Sequence, residues 1–306
     1  MQAALVTMGI IYLFAVLGFW AKRRFKERFH EATLTLVVVY LLHPFLAFWG
    51  LTRQSLSYES FSLPVIYFVI ITVVSFLSLG LGKIYLQDPK DQSILAVNSV
   101  AGNVANIGIP LVLAVLGEEG VYHASLLTIA NIFYLYTFGV FFYSRGSFSL
   151  KESFFNIFKL PVIWASMAAI FVNYFELPIP SSAQAPLQMG AYAGLVIQLI
   201  LFGAYLCRID FQQTNQQLLW MSTGIKTFVL PLASCFIIVL LPLSPVAKVV
   251  LFLELAVPMA VNNVNLASLY DCKPKQVAIG VLASSVLFAV LLPLYLWVAH
   301  RYIGDF

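Results

Sequence analysis

Asn98-Ser99-Val100-Ala101-Gly102-Asn103-Val104-Ala105-Asn106-Ile107-Gly108-Ile109-Pro110 is the stretch on which the reading of this chain turns. It sets three amide side chains, two glycines and a proline within an apolar run of about 93 to 116. On an unbroken helix, at about 100° per residue, Asn98, Asn103 and Asn106 would share no single face. A break near Gly108 and Pro110 removes that difficulty, because proline lacks a backbone donor and its ring crowds the preceding turn. The carbonyls so freed need partners. Irregular backbone at membrane depth survives only inside protein or beside a cavity.

That the run lies in a membrane follows from composition. Of 306 residues, 61% are apolar and only 10% charged, whereas soluble domains carry about 25% charge. Such a chain cannot coat itself for water, which excludes a soluble enzyme, a nucleic-acid binder and a disordered scaffold. Ten apolar spans are expected, at about 3 to 21, 33 to 51, 64 to 86, 93 to 116, 124 to 143, 160 to 176, 187 to 207, 218 to 241, 246 to 270 and 277 to 299. They leave no room for a soluble domain.

The first span is followed, not preceded, by Lys22, Arg23, Arg24, Lys26 and Arg28, so it reads as a retained helix with its N-terminus outside. The connections from odd to even spans then hold thirteen of the 17 cations, among them Lys83, Lys90, Arg145, Lys151, Lys159, Arg208, Lys273 and Lys275. Arg53, Lys248 and Arg301 fall on the other side. This bias predicts ten crossings with both termini outside, in a bacterial cytoplasmic (inner) membrane. The absence of any Asn-x-Ser/Thr acceptor agrees with a bacterial origin.

The longest inner connection, Ser144 to Lys159, divides the chain into five spans, 1-143, and five more, 160-306. An odd number per half inverts one half against the other. The ninth span holds a second polar stretch, Glu254-Leu255-Ala256-Val257-Pro258-Met259-Ala260-Val261-Asn262-Asn263-Val264-Asn265. Pro110 and Pro258 lie 148 positions apart against a half-length of 153. The expected fold is therefore an all-α integral membrane protein of two inverted five-helix repeats, with broken helices 4 and 9 crossing near the midplane. There, half-helix N-termini would attract an anion and loose carbonyls would hold a cation. Ordinary kinks and interhelical amide hydrogen bonds are the plainer account of the same residues.

These two stretches resemble the auxin efflux carrier family, whose plant members are the PIN carriers and whose bacterial members are organic-acid permeases. The family's G-N-x-x-x-[IL]-G-x-P is matched by Gly102, Asn103, Ile107, Gly108 and Pro110. Its A-M-P-x-A-V-N is similar to Ala256 through Asn262, with Val257 in place of the usual Met. The resemblance implies the fold of the bile acid sodium symporters, a mobile core (crossover) domain against a scaffold domain. It implies substrate contact at Asn103 and Asn262. Ala105 and Asn106 depart from the family's Gly and aromatic, so the identity of the substrate does not carry over.

The expected substrate-binding set is Asn103, Asn106, Gly108, Pro110, Pro258, Asn262 and Asn263, with no metal centre and no cofactor beyond Na⁺ or H⁺ as a coupling ion. Glu254, about nine residues into its span, is too deep to snorkel and is the candidate for coupling, together with Asn98. A structural ion pair or a wet vestibule is the alternative for Glu254. Lys226 is its obvious partner, an attractor for an anion, or a snorkelling anchor. His43, before Pro44, and Asn131 read first as packing residues. Cys207, Cys235 and Cys272 are unclustered and imply neither disulfide nor metal.

No H-E-x-x-H, G-x-x-x-x-G-K-[ST] or G-x-S-x-G occurs, so neither enzyme chemistry nor an ATP motor is expected. The expected function is secondary transport of a small organic anion, a carboxylate, by an elevator-like shift, with a possible homodimer through the scaffold domain. The rival is a membrane receptor or structural subunit that binds without moving its ligand.

Overall fold

The computed structural model describes all residues except 1, 53–56, 145–157, 159, 208–213 and 305–306. Most of the connection between the two halves and the cations Arg53, Arg145, Lys151, Lys159 and Arg208 therefore lie outside the described residues. Eleven helices are described: α1 Gln2–Phe25, α2 Glu31–Leu51, α3 Tyr58–Tyr85, α4 Pro89–Asn98, α5 Val104–Tyr143, α6 Pro161–Tyr174, α7 Ser181–Leu206, α8 Gln216–Leu240, α9 Pro245–Ala256, α10 Asn262–Leu269 and α11 Pro274–Ile303. Six of them are long and apolar enough to cross a membrane unaided. The chain is an all-α membrane protein.

The 40-residue α5 is two passes. Gly117 lies at φ 68°, ψ −159°, outside helical space and accessible to glycine at little cost. The chain reverses there, because a Cβ on Gly120 would meet Val112 and Leu116, which a straight helix would hold about 12 Å and 6 Å away along its axis. Taking the limbs 104–116 and 118–143 separately, and joining α4 to the first limb and α9 to α10 across short breaks, the described helices make ten passes.

Starts are written into the sequence. Proline occupies the first turn of α4, α6, α9 and α11, where its missing donor costs no hydrogen bond. Asp88, Asn215 and Ser244 accept a main-chain N–H at the starts of α4, α8 and α9. All three ends are also tied to a neighbour, Asn215 Nδ2 donating to Asp91 at 2.8 Å. Lys273, before α11, donates to Asp88 and Asp91 at 2.6 Å, and Ser244 Oγ donates to Glu59 of α3 at 2.8 Å.

α1 packs along α7, and α2 packs against α6 and α7, while α3 packs on α4 and α5, and α9 on α5 and α8. Large apolar side chains face outward, including Leu77, Ile84, Phe236 and Leu240. In a membrane that surface meets acyl chains rather than water. Lys22, in the basic run, is not free surface charge: it is buried and pairs with Glu31 at 3.0 Å.

Candidate substrate site at the helix crossing

Helix α4 ends at Asn98 and α9 at Ala256, and each is followed by five residues that are not α-helical. The two interruptions meet. Gly102 and Met259 form an antiparallel bridge, in which Asn103 N–H donates to Pro258 O at 2.8 Å and Ala260 N–H to Ala101 O at 2.9 Å. Each break thus supplies the backbone partner the other lost, which is how irregular chain is tolerated at this depth. Asn131 Nδ2 covers Gly102 O at 3.1 Å, and Ser284 Oγ accepts Met259 N–H at 3.1 Å.

The break lies at 99–103, not near Gly108 and Pro110. A π-helical turn, Val104–Gly108, follows it, and Pro110 stands at the start of the α-helical run beyond. The wider turn and the early position remove the penalty for the missing donor, so this proline breaks nothing. Pro258 differs, since it sits inside its interruption and its carbonyl is part of the bridge. The two prolines therefore do not occupy matching places.

Gly108 serves close packing instead. A Cβ there would collide with the carboxylate of Glu254. Glu254 is 0% exposed, and both its oxygens are without a hydrogen-bond partner among the described residues. Lys226, also 0% exposed, does not snorkel. Its Nζ donates to Val100 O at 3.2 Å and Leu255 O at 3.0 Å, one carbonyl from the end of each broken helix. No ion pair joins it to Glu254 among the described residues.

Beside the bridge, at Gly102 and Ala260, is a cavity of about 50 Å³. At roughly 10–15 Å³ per water-sized sphere it has room for a few small groups. Asn103, Asn106, Asn131, Ala260 and Asn262 line it from the crossing, and His43 of α2 and Gln198 of α7 face them. Asn106 Nδ2 donates to Asn103 Oδ1 at 2.7 Å, which leaves Asn103 Nδ2 and Asn106 Oδ1 buried without partners. Turning both amides over would still leave one donor and one acceptor. Gln198 hydrogen-bonds His43 Nε2 through its amide nitrogen, and Gln198 Oε1 is also unpartnered.

Of the residues expected to bind substrate, Asn103, Asn106 and Asn262 line this cavity, while Gly108, Pro110, Pro258 and Asn263 do not. Asn262 and Asn263 diverge. Asn263 Nδ2 donates to Asn98 Oδ1 at 3.1 Å, and Tyr143 OH donates to the same oxygen at 2.9 Å. Asn98 is thus tied into a buried network that locks α4 to α10 and α5, separate from Glu254. Gln198 was not singled out by the sequence reading, although an amide set within the apolar run 195–206 is a signal that could have found it. A larger groove of about 670 Å³, between α8 and α11, is lined almost wholly by apolar groups such as Leu232, Phe236 and Leu294. It gives a polar solute little to bind.

The first half of the chain, residues 3–157, matches the family model described as "Membrane transport protein". An uncharacterized transporter from Methanocaldococcus jannaschii is 24% identical over 313 residues, an alignment covering 94% of this chain and 96% of that one. The paired helix breaks, the amide-lined cavity and a match over just over half the chain lead to one conclusion: the chain belongs to the membrane transport protein family, that of the auxin efflux carriers.

Proposed function

We propose that the protein is a secondary carrier for a small organic anion, one bearing a carboxylate, and that it works by elevator-like alternating access. The observation that carries this reading is the cavity between two packing groups. One wall comes from the crossing of α4, α5, α9 and α10, the other from α2 and α7, and each wall carries an amide residue with a buried, unpartnered polar atom. A solute held between a moving body and a fixed one changes sides when the contact slides. In this scheme α1, α2, α6 and α7 form the scaffold.

Among the lining residues there is no Arg or Lys. Attraction for an anion comes instead from the N-terminal ends of α5 and α10, which begin at Val104 and Asn262 beside the cavity. The Asn103–Asn106 pair offers one donor to a carboxylate oxygen and one acceptor to a neighbouring hydroxyl. A 2-hydroxy acid uses both, and a simple alkanoate leaves the acceptor unpaired, which a buried site penalises by about 1–3 kcal/mol.

Counterflow in proteoliposomes tests the reading. Malate and lactate are expected to move or compete, lactate about fivefold or more better than propionate. Asn103→Ala is expected to reduce flux at least tenfold while leaving the protein folded. If malate, lactate, malonate and indole carboxylates all fail to move or compete, the carboxylate assignment is wrong. A ligand that binds but never crosses would favour the receptor alternative.

A further inference from the structure

We propose that the ammonium of Lys226 is a built-in cation of the helix crossing, standing where a soluble sodium ion would otherwise be held, so that this carrier binds and requires no sodium. Broken helices that end near the midplane direct partial negative charge at one another through their last carbonyls, and such ends are where carriers hold a coupling cation. Here α4 and α9 both end at the crossing. Val100 O and Leu255 O, one from each end, accept from the same Nζ at 3.2 and 3.0 Å. The Glu254 carboxyl, next to Leu255 in the chain and without a hydrogen-bond partner among the described residues, stands at that end of α9.

Room for the ammonium is made by Gly102. A Cβ at that position would stand 3.2 Å from Nζ and 2.9 Å from Val257 Cγ2. The lysine enters from the π-helical turn Ile225–Val229 of α8 and is fully buried. One tethered ammonium therefore sits between two carbonyl ends. A sodium ion added there would meet a fixed like charge in a dry setting. Removing the ammonium while keeping Glu254 should leave a carbonyl-lined hole open to a free cation.

The inference concerns how the proposed carrier is driven and rests on that reading, but sodium binding is measured without any transport, so either can fail alone. The purified full chain is assayed for saturable ²²Na⁺ binding and for melting temperature in NaCl against choline chloride at equal ionic strength. Wild type is expected to show no saturable binding and no difference in melting temperature. Lys226→Ala is expected to bind ²²Na⁺ and to gain about 2 °C or more in NaCl, and Glu254→Gln in the same background to lose that gain. Saturable sodium binding by wild type overturns the proposal, and this arm stands even if the lysine variant does not fold. A folded Lys226→Ala protein indifferent to sodium also overturns it.

Discussion

Gly108→Ala is a substitution for which local propensity and packing predict opposite signs. Gly108 has helical dihedrals, φ −63° and ψ −56°, so propensity alone predicts a gain of about 1 kcal/mol from alanine. The structure predicts a loss, because the new Cβ would fall on the Glu254 carboxylate, which is itself fully buried. Forcing a side chain aside in a packed interior costs about 1–3 kcal/mol, enough to cancel or exceed the propensity gain. A double-mutant cycle separates the two effects. In the wild-type background Gly108→Ala should lower the apparent melting temperature. In a Glu254→Ala background, with the carboxylate gone, it should leave the temperature unchanged or raise it. The expected coupling is about 1–3 kcal/mol, roughly 2 °C per kcal/mol for a chain of this size. An equal response in both backgrounds, or a gain in wild type, would refute the contact.

Asn98→Ala strands two buried donors, Tyr143 OH and Asn263 Nδ2, and should cost about 2–4 kcal/mol in thermal unfolding. Tyr143→Phe leaves Asn98 bonded to Asn263 and should cost about 1 kcal/mol or less. Equal losses would show that the oxygen is not shared. At the membrane edge, the hydrogen bond from Lys273 holds the Asp88 carboxyl below its ordinary range, helped by Lys90 N–H. A depressed carboxyl stabilises the fold above its unfolded pKa, near 3.9, and that contribution is lost as pH falls through the lowered value. With Asp88's side chain 43% exposed the effect is small, roughly 0.5 kcal/mol. Stability between pH 5 and 2 should fall less steeply in Lys273→Met than in wild type, and an unchanged slope would count against the bond.

How far the sequence reached depended on the kind of signal. Helix number followed from apolar length, a local effect; the starts also carry local marks, the first-turn prolines and the Asp88 and Ser244 caps, which span lengths alone do not use. The crossing was readable as two polar interruptions, but the first was placed at Gly108 and Pro110. Glycine and proline can mark a break, a close approach or a helix start. Only the fold shows that Gly108 is a close approach and Pro110 a start. Lys226 was paired in expectation with Glu254, yet it reaches carbonyls 126 and 29 residues away in the chain. Main-chain carbonyls look alike in every sequence, so that partnership had no local mark. Gln198 reaches the site only because α7 packs beside α2, a tertiary fact that span lengths do not encode.

The account depends most on the pairing of the two interruptions. The bridge register sets Ala101 opposite Ala260, where antiparallel neighbours are about 5.5 Å apart between Cα atoms, within disulfide range. In a chain with Cys207, Cys235 and Cys272 replaced, Ala101→Cys with Ala260→Cys should oxidise readily to an intrachain disulfide, detected by mass spectrometry of the digested protein. Ala101→Cys paired with a cysteine at Leu266, further along α10, should not. Failure of the first pair to bridge, or equal bridging by both, would contradict the crossing on which the proposed site and the role of Lys226 rest.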